Sequence, residues 1–349
     1  MRSSANGIRL ILRRSAWAWL TLALLGCSQP YGNADAALQR ERIDLGRRLF
    51  SDPHLSADNN IKCASCHIPS LAYTDGKQVA VGVGGRTGSR NTPSLSALDS
   101  MDTNASFFWD GRRRQLEEAV LDPMTNPVEM GLRDRGELLQ RVQGNVEYRE
   151  RFEHIFHRQN IEGEDIGIVL ADYVRSLSAE PSAYDRYVTQ GDRMALDTRA
   201  VLGLTLFAGK AGCSQCHLLS GKPAALTDEK FHRTGVGLDD IAPSLSMLTQ
   251  EVVKSSLKGS AIGDRLATHP DEAQLGRFNV TREPADIGLF RTPSLRGVAN
   301  TAPYMHDGSV PTLEDAIDRE IYYRSLQAGE PLNLSAEERA NLRAFLETL

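Results

Sequence analysis

The stretch "IKCASCHIPS" at residues 61–70 decides the fold, because it places Cys63, Cys66 and His67 in a C-x-x-C-H pattern. This pattern is typical of covalent c-type haem attachment, in which both thiols bind the haem vinyl groups and the adjacent histidine ligates the iron. A zinc site is the alternative, but zinc needs four ligands, so two such patterns would have to share theirs.

The chain repeats the pattern in "AGCSQCHLLS" at residues 211–220, where it places Cys213, Cys216 and His217. Two copies predict two covalently bound c-type haems, with His67 and His217 as the proximal ligands of haem 1 and haem 2. The two motifs use four of the five cysteines, so no disulfide bond is expected.

The fifth cysteine, Cys27, ends an apolar run over residues 16–26 that follows several arginines. A basic segment before a short apolar one is typical of a secretory signal peptide, and this run is too short to cross a bilayer comfortably. Its end, "LLGC", resembles a lipobox, in which the cysteine is lipidated; ordinary cleavage nearby is the alternative. We expect a signal peptide over residues 1–26, a linker over 27–36, and a periplasmic protein whose membrane contact is at most a lipid anchor on Cys27.

The mature chain is acidic. The formal net charge is −5, and residues 1–26 contain four arginines and no acidic residue, so their removal lowers the charge to −9. This charge argues against nucleic acid as a partner and favours a basic patch on an electron-transfer partner.

Short motifs recur in the same order in both halves of the chain. The first half contains "LGRRLF", "CASCH", "RNTPSL", "FFWDGR" and "LEEA", and the second contains "LGLTLF", "CSQCH", "RTPSL", "YMHDGS" and "LEDA". A shared order of motifs indicates an internal duplication. We expect an N-terminal haem domain over residues 37–183 and a C-terminal haem domain over 184–349, with a longer segment between the second haem motif and "RTPSL".

Both halves have helical patterning. The stretch "DIGIVLADYVRSL" at residues 165–177 places its apolar side chains on one helix face, and "LSAEERANLRAFLETL" at residues 334–349 begins with a capping box of Ser335 and Glu338. Continuous strand patterning is scarce, and loops rich in glycine and proline separate the helices. The predicted fold class is all-α, with two tandem cytochrome-c-like haem domains.

The second axial ligand decides what each haem can do, because an iron with an open face binds peroxide whereas one with two protein ligands transfers electrons. No histidine lies between His67 and His154, so the loop after the first motif offers none to haem 1. Glu129 follows "LEEA" and suits general acid–base work. Tyr322 and Tyr323 follow "LEDA" and suit ligation of ferric haem. The alternatives are a capping or salt-bridged Glu129 and core tyrosines.

These motifs resemble the bacterial diheme cytochrome c peroxidase superfamily, which includes protein-modifying relatives such as the diheme enzyme that matures methylamine dehydrogenase. The resemblance runs from "LGRRLF" to "AFLETL" and includes "NPVEMG" at residues 126–131 and "TAPYMHDGS" at residues 301–309. It implies that haem 1 is the peroxidatic haem and haem 2 the electron-transfer haem. It also implies that Glu129 is the distal acid and that Trp109 relays electrons between the haems.

The resemblance further implies a calcium site between the two domains. The side chain of Asn91 and the backbone carbonyls of Thr301 and Pro303 would form it. Oxygen ligands, some of them from the backbone, suit Ca²⁺. We therefore expect one Ca²⁺ in addition to two haems.

The sequence departs from the family pattern at both haems. The loop "GVGGRTGSRNTP" at residues 82–93 lacks the histidine that caps the peroxidatic haem in many members, so haem 1 should be open without reductive activation. The methionine that ligates haem 2 after "LEDA" in those members is absent as well. Direct counting puts Glu320 at the position of that methionine. The "YYR" that follows resembles the "Y-x-R-G" of the tyrosine-ligated branch, which after a two-residue insertion makes Tyr322 the expected ligand, with Tyr323 and Met305 as alternatives.

The expected function is that of a diheme peroxidase. It would reduce H₂O₂ to water at haem 1 with electrons from a small soluble donor, a cytochrome c or a cupredoxin, relayed through haem 2 and Trp109. The alternative is a maturation enzyme that uses peroxide to oxidise a side chain of a partner protein. A non-catalytic diheme electron carrier is a third hypothesis, but it would need protein ligands on both faces of each iron.

Metal content tests these expectations. We expect the purified protein to contain two haem irons and one calcium per chain, and Cys63→Ala/Cys66→Ala to lose one haem, because thioether attachment needs these thiols. The matched variant Cys213→Ala/Cys216→Ala should lose the other. Elemental analysis and a pyridine haemochrome spectrum give the counts, and a wild-type protein with one haem, or with zinc, would contradict the prediction.

Overall fold

A computed structural model describes residues 31–98, 101, 105–177, 180–221 and 223–349. The predicted signal peptide over residues 1–26 and the lipidation of Cys27 lie outside these residues. None of the described helices is long and apolar enough to cross a membrane.

The N-terminal half is a set of helices around the first haem motif. Short side-chain caps start several of them; Asp134, for example, accepts from the Glu137 amide at the start of α5. The helices are α1 (Tyr31–Phe50), α2 (Cys63–Cys66), α3 (Leu116–Ala119), α4 (Asp122–Thr125), α5 (Arg135–Gly144), α6 (Val146–Phe156) and α7 (Gly163–Arg175).

The C-terminal half contains nine further helices and, in the part of the chain that the structure describes, one two-stranded sheet. The helices are α8 (Ala183–Thr189), α9 (Thr198–Ala208), α10 (Leu238–Ile241), α11 (Leu245–Lys254), α12 (Ser260–Thr268), α13 (Pro270–Ala273), α14 (Phe278–Thr281), α15 (Leu313–Ala328) and α16 (Ala336–Leu346). The strands β1 (Phe231–Arg233) and β2 (Leu289–Arg291) pair antiparallel. Helices predominate, as predicted, but the small sheet corrects the all-α expectation, because three-residue strands are too short to show alternation.

The longer segment of the second half begins and ends at the same place in the fold. Phe231 lies opposite Arg291, and Arg233 lies opposite Leu289. The chain therefore leaves through β1 and returns through β2 at the same place. We refer to residues 234–288 as the inserted segment.

A glycine lets α1 cross α7 at close range. A Cβ atom on Gly46 would lie 1.9 Å from the carbonyl oxygen of Val169, so a larger residue does not fit. One turn further along both helices, the rings of Phe50 and Tyr173 meet edge to face, with centroids 5.1 Å apart and planes at 65°. The "LGRRLF" motif thus makes a specific helix contact.

The same contact occurs between α9 and α16. A Cβ atom on Gly203 would lie 1.9 Å from the carbonyl oxygen of Asn341. Phe207 and Phe345 then meet with centroids 5.1 Å apart and planes at 64°. The two "LG-x-x-LF" motifs therefore have one structural role, which is to join the first and last long helices of each half.

The buried hydrophobic side chains form two large clusters and two small ones. The first large cluster draws its buried members from residues 45–174 and the second from residues 184–349. The small clusters lie within the inserted segment, which has its own minor cores. Each haem motif contributes a cysteine to the large cluster of its own half.

The helix crossings predict the outcome of a small substitution. We expect Gly46→Ala and Gly203→Ala each to lower the free energy of unfolding by about 1–3 kcal/mol, because an added methyl group overpacks the crossing. Gly144→Ala, at the end of α5, is the matched control, since a Cβ atom there meets nothing within 4 Å. Thermal unfolding followed by circular dichroism measures the effect, and equal melting temperatures for all three variants would contradict it.

Candidate haem and peroxide site

One hydrogen bond orients the histidine of the first haem motif. His67 Nδ1 lies 2.8 Å from the carbonyl oxygen of Tyr73, so Nδ1 donates its proton and Nε2 is left to ligate iron. Tyr73 has a left-handed backbone with φ of 61°, and Ser94 Oγ donates to the preceding carbonyl, that of Ala72, over 2.6 Å. Burial lowers the pKa of His67, which favours the neutral, ligating form.

The histidine of the second motif is held in the same way. His217 Nδ1 lies 3.0 Å from the carbonyl oxygen of Leu226, whose backbone is also left-handed, with φ of 55°. Ser294 Oγ donates to the carbonyl of Ala225 over 2.8 Å. Burial lowers the pKa of His217 to about 4, so this imidazole is neutral at physiological pH.

The motif cysteines are free thiols. Burial raises the pKa of Cys63 to about 12 and the pKa of Cys66 and of Cys213 to about 11. Pairs of cysteines beside a neutral imidazole fit thioether attachment of a haem.

A mostly apolar cavity lies beside the second motif. Cys213, Cys216 and His217 line it, and so do apolar side chains of α9, α15 and α16. Thr92 also lines the cavity. Among the described residues, its buried Oγ1 has no hydrogen-bond partner, and two buried nitrogens of Arg90 lack one as well. Carboxylates are suitable partners for such groups. The acidic side chains of a haem would supply them, so the residues present fit this group.

One face of α15 covers this cavity. Its members recur at helical spacing: Leu313, Ala316, Ile317, Glu320, Ile321 and Arg324. Tyr322 lies on the opposite face and is 56% exposed. Tyr323 packs instead against Gly235, where a Cβ atom would meet its ring at 2.0 Å. Of the three residues proposed as the sixth ligand of haem 2, only Met305 lines the cavity.

By direct counting, Glu320 occupies the position of the family's methionine ligand; the sequence assigned no role to its partner on this face, Arg324. Arg324 Nη2 lies 3.6 Å from Cys216 Sγ, and Arg324 Nε lies 3.8 Å from Glu320 Oε2. Burial raises the pKa of Glu320. The helical period starting at Leu313 already predicts that both side chains share the face of Ile317. Tyr322 would lie on that face only if extra residues interrupted the period, and α15 is one continuous helix.

Glu129 lies in a turn that is held from two sides. Asn126 Nδ2 donates to Glu129 Oε1 over 2.8 Å, and the Val83 amide donates to the Glu129 carbonyl oxygen over 2.8 Å. A Cβ atom on Gly82 would lie 2.4 Å from that carbonyl oxygen, so glycine permits this approach. The loop over residues 82–93, which lacks a histidine, therefore positions the candidate distal acid.

The electrostatics connect Glu129 with the first haem motif. Burial raises the pKa of Glu129 to about 7, although the Arg112 guanidinium opposes the shift. The Glu129 carboxylate also adds to the raised pKa of Cys63 and of Cys66, for which burial is the main cause. The charge of Glu129 thus influences the haem-attachment thiols, and its role as the distal acid remains a prediction.

Trp109 joins the two halves. Its Nε1–H donates to the carbonyl oxygen of Asn91 over 2.9 Å, and its own carbonyl oxygen accepts from the Arg291 amide over 2.8 Å. Its side chain also lines the cavity of the second haem motif. This position suits an electron relay, which remains a prediction.

The three residues predicted to bind calcium line this cavity as well. They are Asn91, Thr301 and Pro303. Asn91 Nδ2 donates to the carbonyl oxygen of Lys77 over 2.9 Å, which leaves the amide oxygen as the atom that suits a cation. The structure brings the three together, and the calcium site itself remains a prediction.

Sequence analysis also passed over a carboxyl group from the inserted segment. The negative charge of Asp264 on α12 contributes to the raised pKa of Glu129, and that of Asp122 contributes to the raised pKa of Asp264. No motif or periodicity indicates this influence, because it depends on how the inserted segment folds back onto the N-terminal half.

Comparisons with known proteins agree with this geometry. A family model described as di-haem cytochrome c peroxidase matches residues 40–193, and one described as RoxA-like, cytochrome c-like matches residues 289–323. The cytochrome-c peroxidase IdrP1 of Pseudomonas sp. (strain SCT) is 36% identical over 332 residues, which cover 92% of this chain and 83% of that protein. The methylamine utilization protein MauG of Methylorubrum extorquens is 32% identical, with 92% of this chain and 81% of that protein covered.

A solved structure has the same fold. It is a MauG-like protein associated with microbial copper homeostasis, with a TM-score of 0.68 at 30% identity, covering 88% of this chain and 89% of that one. The fold and the two C-x-x-C-H motifs define the class of diheme c-type cytochromes. The chain belongs to the di-haem cytochrome c peroxidase family.

The geometry of α15 predicts which substitution alters haem 2. We expect Met305→Leu to change the optical and EPR spectra of ferric haem 2 and to lower its reduction potential, because a neutral thioether favours ferrous iron. Tyr322→Phe should leave both unchanged, since its ring faces solvent. The reverse pattern would support the tyrosine predicted from sequence, and a change with Glu320→Gln alone would identify a carboxylate ligand.

Proposed function

We propose that this chain reduces H₂O₂ to water with electrons from a small soluble redox protein, according to H₂O₂ + 2 H⁺ + 2 e⁻ → 2 H₂O. The observation that carries the proposal is Glu129, an acid with a pKa of about 7 that is coupled to the first haem motif. The neighbouring loop, which contains no histidine to cap the iron, supports it. So do relatives named as cytochrome-c peroxidases.

Glu129 is suited to moving the peroxide proton. When bound at His67, the haem supplies the iron at which the oxygen–oxygen bond of peroxide breaks. The Glu129 carboxylate accepts a proton from one peroxide oxygen, and the resulting acid donates it to the other, which leaves as water. Because Asn126 Nδ2 occupies Oε1, the proton travels on Oε2.

The two halves have different tasks in this proposal. The N-terminal domain, residues 37–183, reduces peroxide, and the C-terminal domain, residues 184–349, passes electrons to it through Trp109. Duplication of one haem domain is supported by the equal helix crossings at Gly46 and Gly203 and by the separate large hydrophobic clusters. The N-terminal sequence supports a periplasmic location, and the mass of the mature protein tests the lipid anchor on Cys27.

Calcium fits this arrangement as a structural ion. Asn91 belongs to the first half, and Thr301 and Pro303 belong to the second. An ion held by all three would fix Trp109, whose indole donates to the Asn91 carbonyl. The metal analysis described above tests for the ion.

A second candidate function uses the same peroxide chemistry but takes its electrons from a side chain of a partner protein. The histidine-free loop and the 32% identity to the methylamine utilization protein MauG favour it. The two functions differ in whether a reduced cytochrome c or cupredoxin is oxidised rapidly. A neutral methionine on haem 2 would favour the peroxidase, because such a haem is more easily reduced.

The test is peroxide-dependent oxidation of a reduced cytochrome c by the diheme protein. We expect Glu129→Gln to slow the rapid reaction with H₂O₂ by roughly 10²-fold or more, the usual range for a lost acid–base group. Since a raised pKa leaves Glu129 protonated below about pH 7, the wild-type rate should fall as the pH drops through about 7, and the variant should lose this dependence.

Glu150→Gln on α6 is the matched control, because this side chain is exposed. It should react as the wild type does. Haem content should be equal in all three proteins. Unaltered peroxide kinetics in Glu129→Gln would show that Glu129 is structural, and a wild type that reacts with peroxide without oxidising the donor would support the second candidate function.

A further inference from the structure

The inserted segment brings a carboxyl group of the C-terminal half to the Glu129 site. Asp264 lies on α12, which packs against α4 of the N-terminal half. The backbone beside it also meets that half, because a Cβ atom on Gly263 would lie 3.2 Å from Arg112 Nε. Asp264 therefore lies at a contact between the two halves.

The Asp264 carboxyl group connects the surface with the interior. The residue as a whole is partly exposed, whereas its Oδ1 atom is buried and has no hydrogen-bond partner in the part of the chain that the structure describes. A buried carboxyl oxygen without such a partner is not committed to a structural hydrogen bond. Its proton can therefore be exchanged without breaking one.

The surroundings contain more carboxyl groups than guanidinium groups. Arg112 pairs with Asp110 at 3.2 Å, Arg113 pairs with Asp122 at 2.7 Å, and Arg135 pairs with Glu118 at 2.8 Å, so each guanidinium group there already has a carboxylate partner. Among the described residues, neither Asp264 nor Glu129 forms an ion pair within 4.0 Å. On α12 itself, Arg265 is already paired with Glu272.

This excess of carboxyl groups favours bound protons. Burial raises the pKa of Asp264 to about 6, with Asp122 adding to the shift and Arg112 opposing it. Asp264 in turn contributes to the raised pKa of Glu129. Both carboxyl groups thus exchange protons near neutral pH, and the ionisation of one makes the other bind its proton more tightly.

Peroxide reduction needs a proton supply of this kind. The two protons of H₂O₂ suffice for one of the two water molecules, and the second water takes up two further protons from solvent together with two electrons from the donor. Glu129 moves protons within the site, but it must be reprotonated. The Glu129 turn is bonded to the 82–93 loop through the Val83 amide, and Asn126 Nδ2 donates to one of the two Glu129 carboxylate oxygens.

We propose that Asp264 passes protons from solvent to Glu129, so that the inserted segment of the C-terminal half provides the proton route to the peroxide site of the N-terminal half. Asp264 acts through Glu129 and does not touch peroxide, so it is a positioning residue for the proton. The inference rests on the proposed peroxidase function.

The experiment compares Asp264→Asn with wild-type holoprotein in rapid mixing with H₂O₂ and reduced cytochrome c across the neutral pH range. We expect donor oxidation to slow by about tenfold or more, less than for a lost acid–base group at the peroxide itself. We also expect a larger solvent isotope effect. The pH midpoint of the peroxide reaction should move to lower pH, because Glu129 loses a negative neighbour.

Two further variants separate this role from a structural one. Asp264→Glu, which keeps the carboxyl group, should restore the rate and move the midpoint back towards the wild-type value. Asp271→Asn removes an equivalent charge from an exposed position in the same segment and should behave as the wild type. Asp264→Asn with an unchanged midpoint and rate would overturn the proposal, as would the same effect in Asp271→Asn.

An infrared titration of the resting protein provides a readout that does not depend on turnover. Protonated carboxyl groups should titrate near pH 6 and pH 7 in the wild type, and Glu129→Gln should retain the lower one. Its absence would overturn the proposal even if Asp264→Asn failed to fold. A wild type that titrates in this way but does not oxidise the donor would instead count against the proposed peroxidase function alone.

Discussion

A hydrogen bond from histidine Nδ1 to a backbone carbonyl orients each haem-binding imidazole, and the repeated motifs of the chain are arranged around it. The accepting residues, Tyr73 and Leu226, have left-handed backbones although neither is glycine. Such a conformation costs about 1–3 kcal/mol and persists only where the surroundings fix it. The serine of each "T-P-S-L" motif does so by donating to the preceding carbonyl. The haem motif and the "T-P-S-L" motif, which lies far along the chain, therefore orient the imidazole together.

The sequence predicts well those features that depend on residues a few positions apart. The C-x-x-C-H pattern places thiols and imidazole by itself, and the two "LG-x-x-LF" motifs place a glycine and an aromatic residue one helical turn apart. The Gly46 and Gly203 crossings follow from that spacing once a second helix is present. The haem 2 cavity was harder to predict, because its α15 face depends on an uninterrupted helical period. Counting in steps of three and four from Leu313 leads to Glu320 and Arg324 and away from Tyr322.

Other features could not be predicted, because they arise from contacts between distant parts of the chain. The pairing of β1 with β2 joins residues on either side of the inserted segment, and each strand is too short to show a pattern. The approach of Asp264 to Glu129 depends on the packing of α12 against α4. Likewise, the position of Trp109 is fixed by Asn91 on one side and Arg291 on the other. When distant parts of the chain form the environment of a side chain, the sequence on either side of that residue does not indicate what surrounds it.

The β1–β2 pair has a consequence for how this protein could change. Because the two strands lie side by side, the chain enters and leaves the inserted segment at adjacent points, and the described residues that line the haem 2 cavity include just one from this segment, Thr234 at its edge. The entropic cost of a closed loop grows slowly with its length, so such an excursion tolerates lengthening and shortening. Residues 234–288 can thus be exchanged as a unit. Such an exchange lets the C-terminal domain change the chemistry beside the site of the N-terminal domain, while the haem-binding motifs of both domains stay intact.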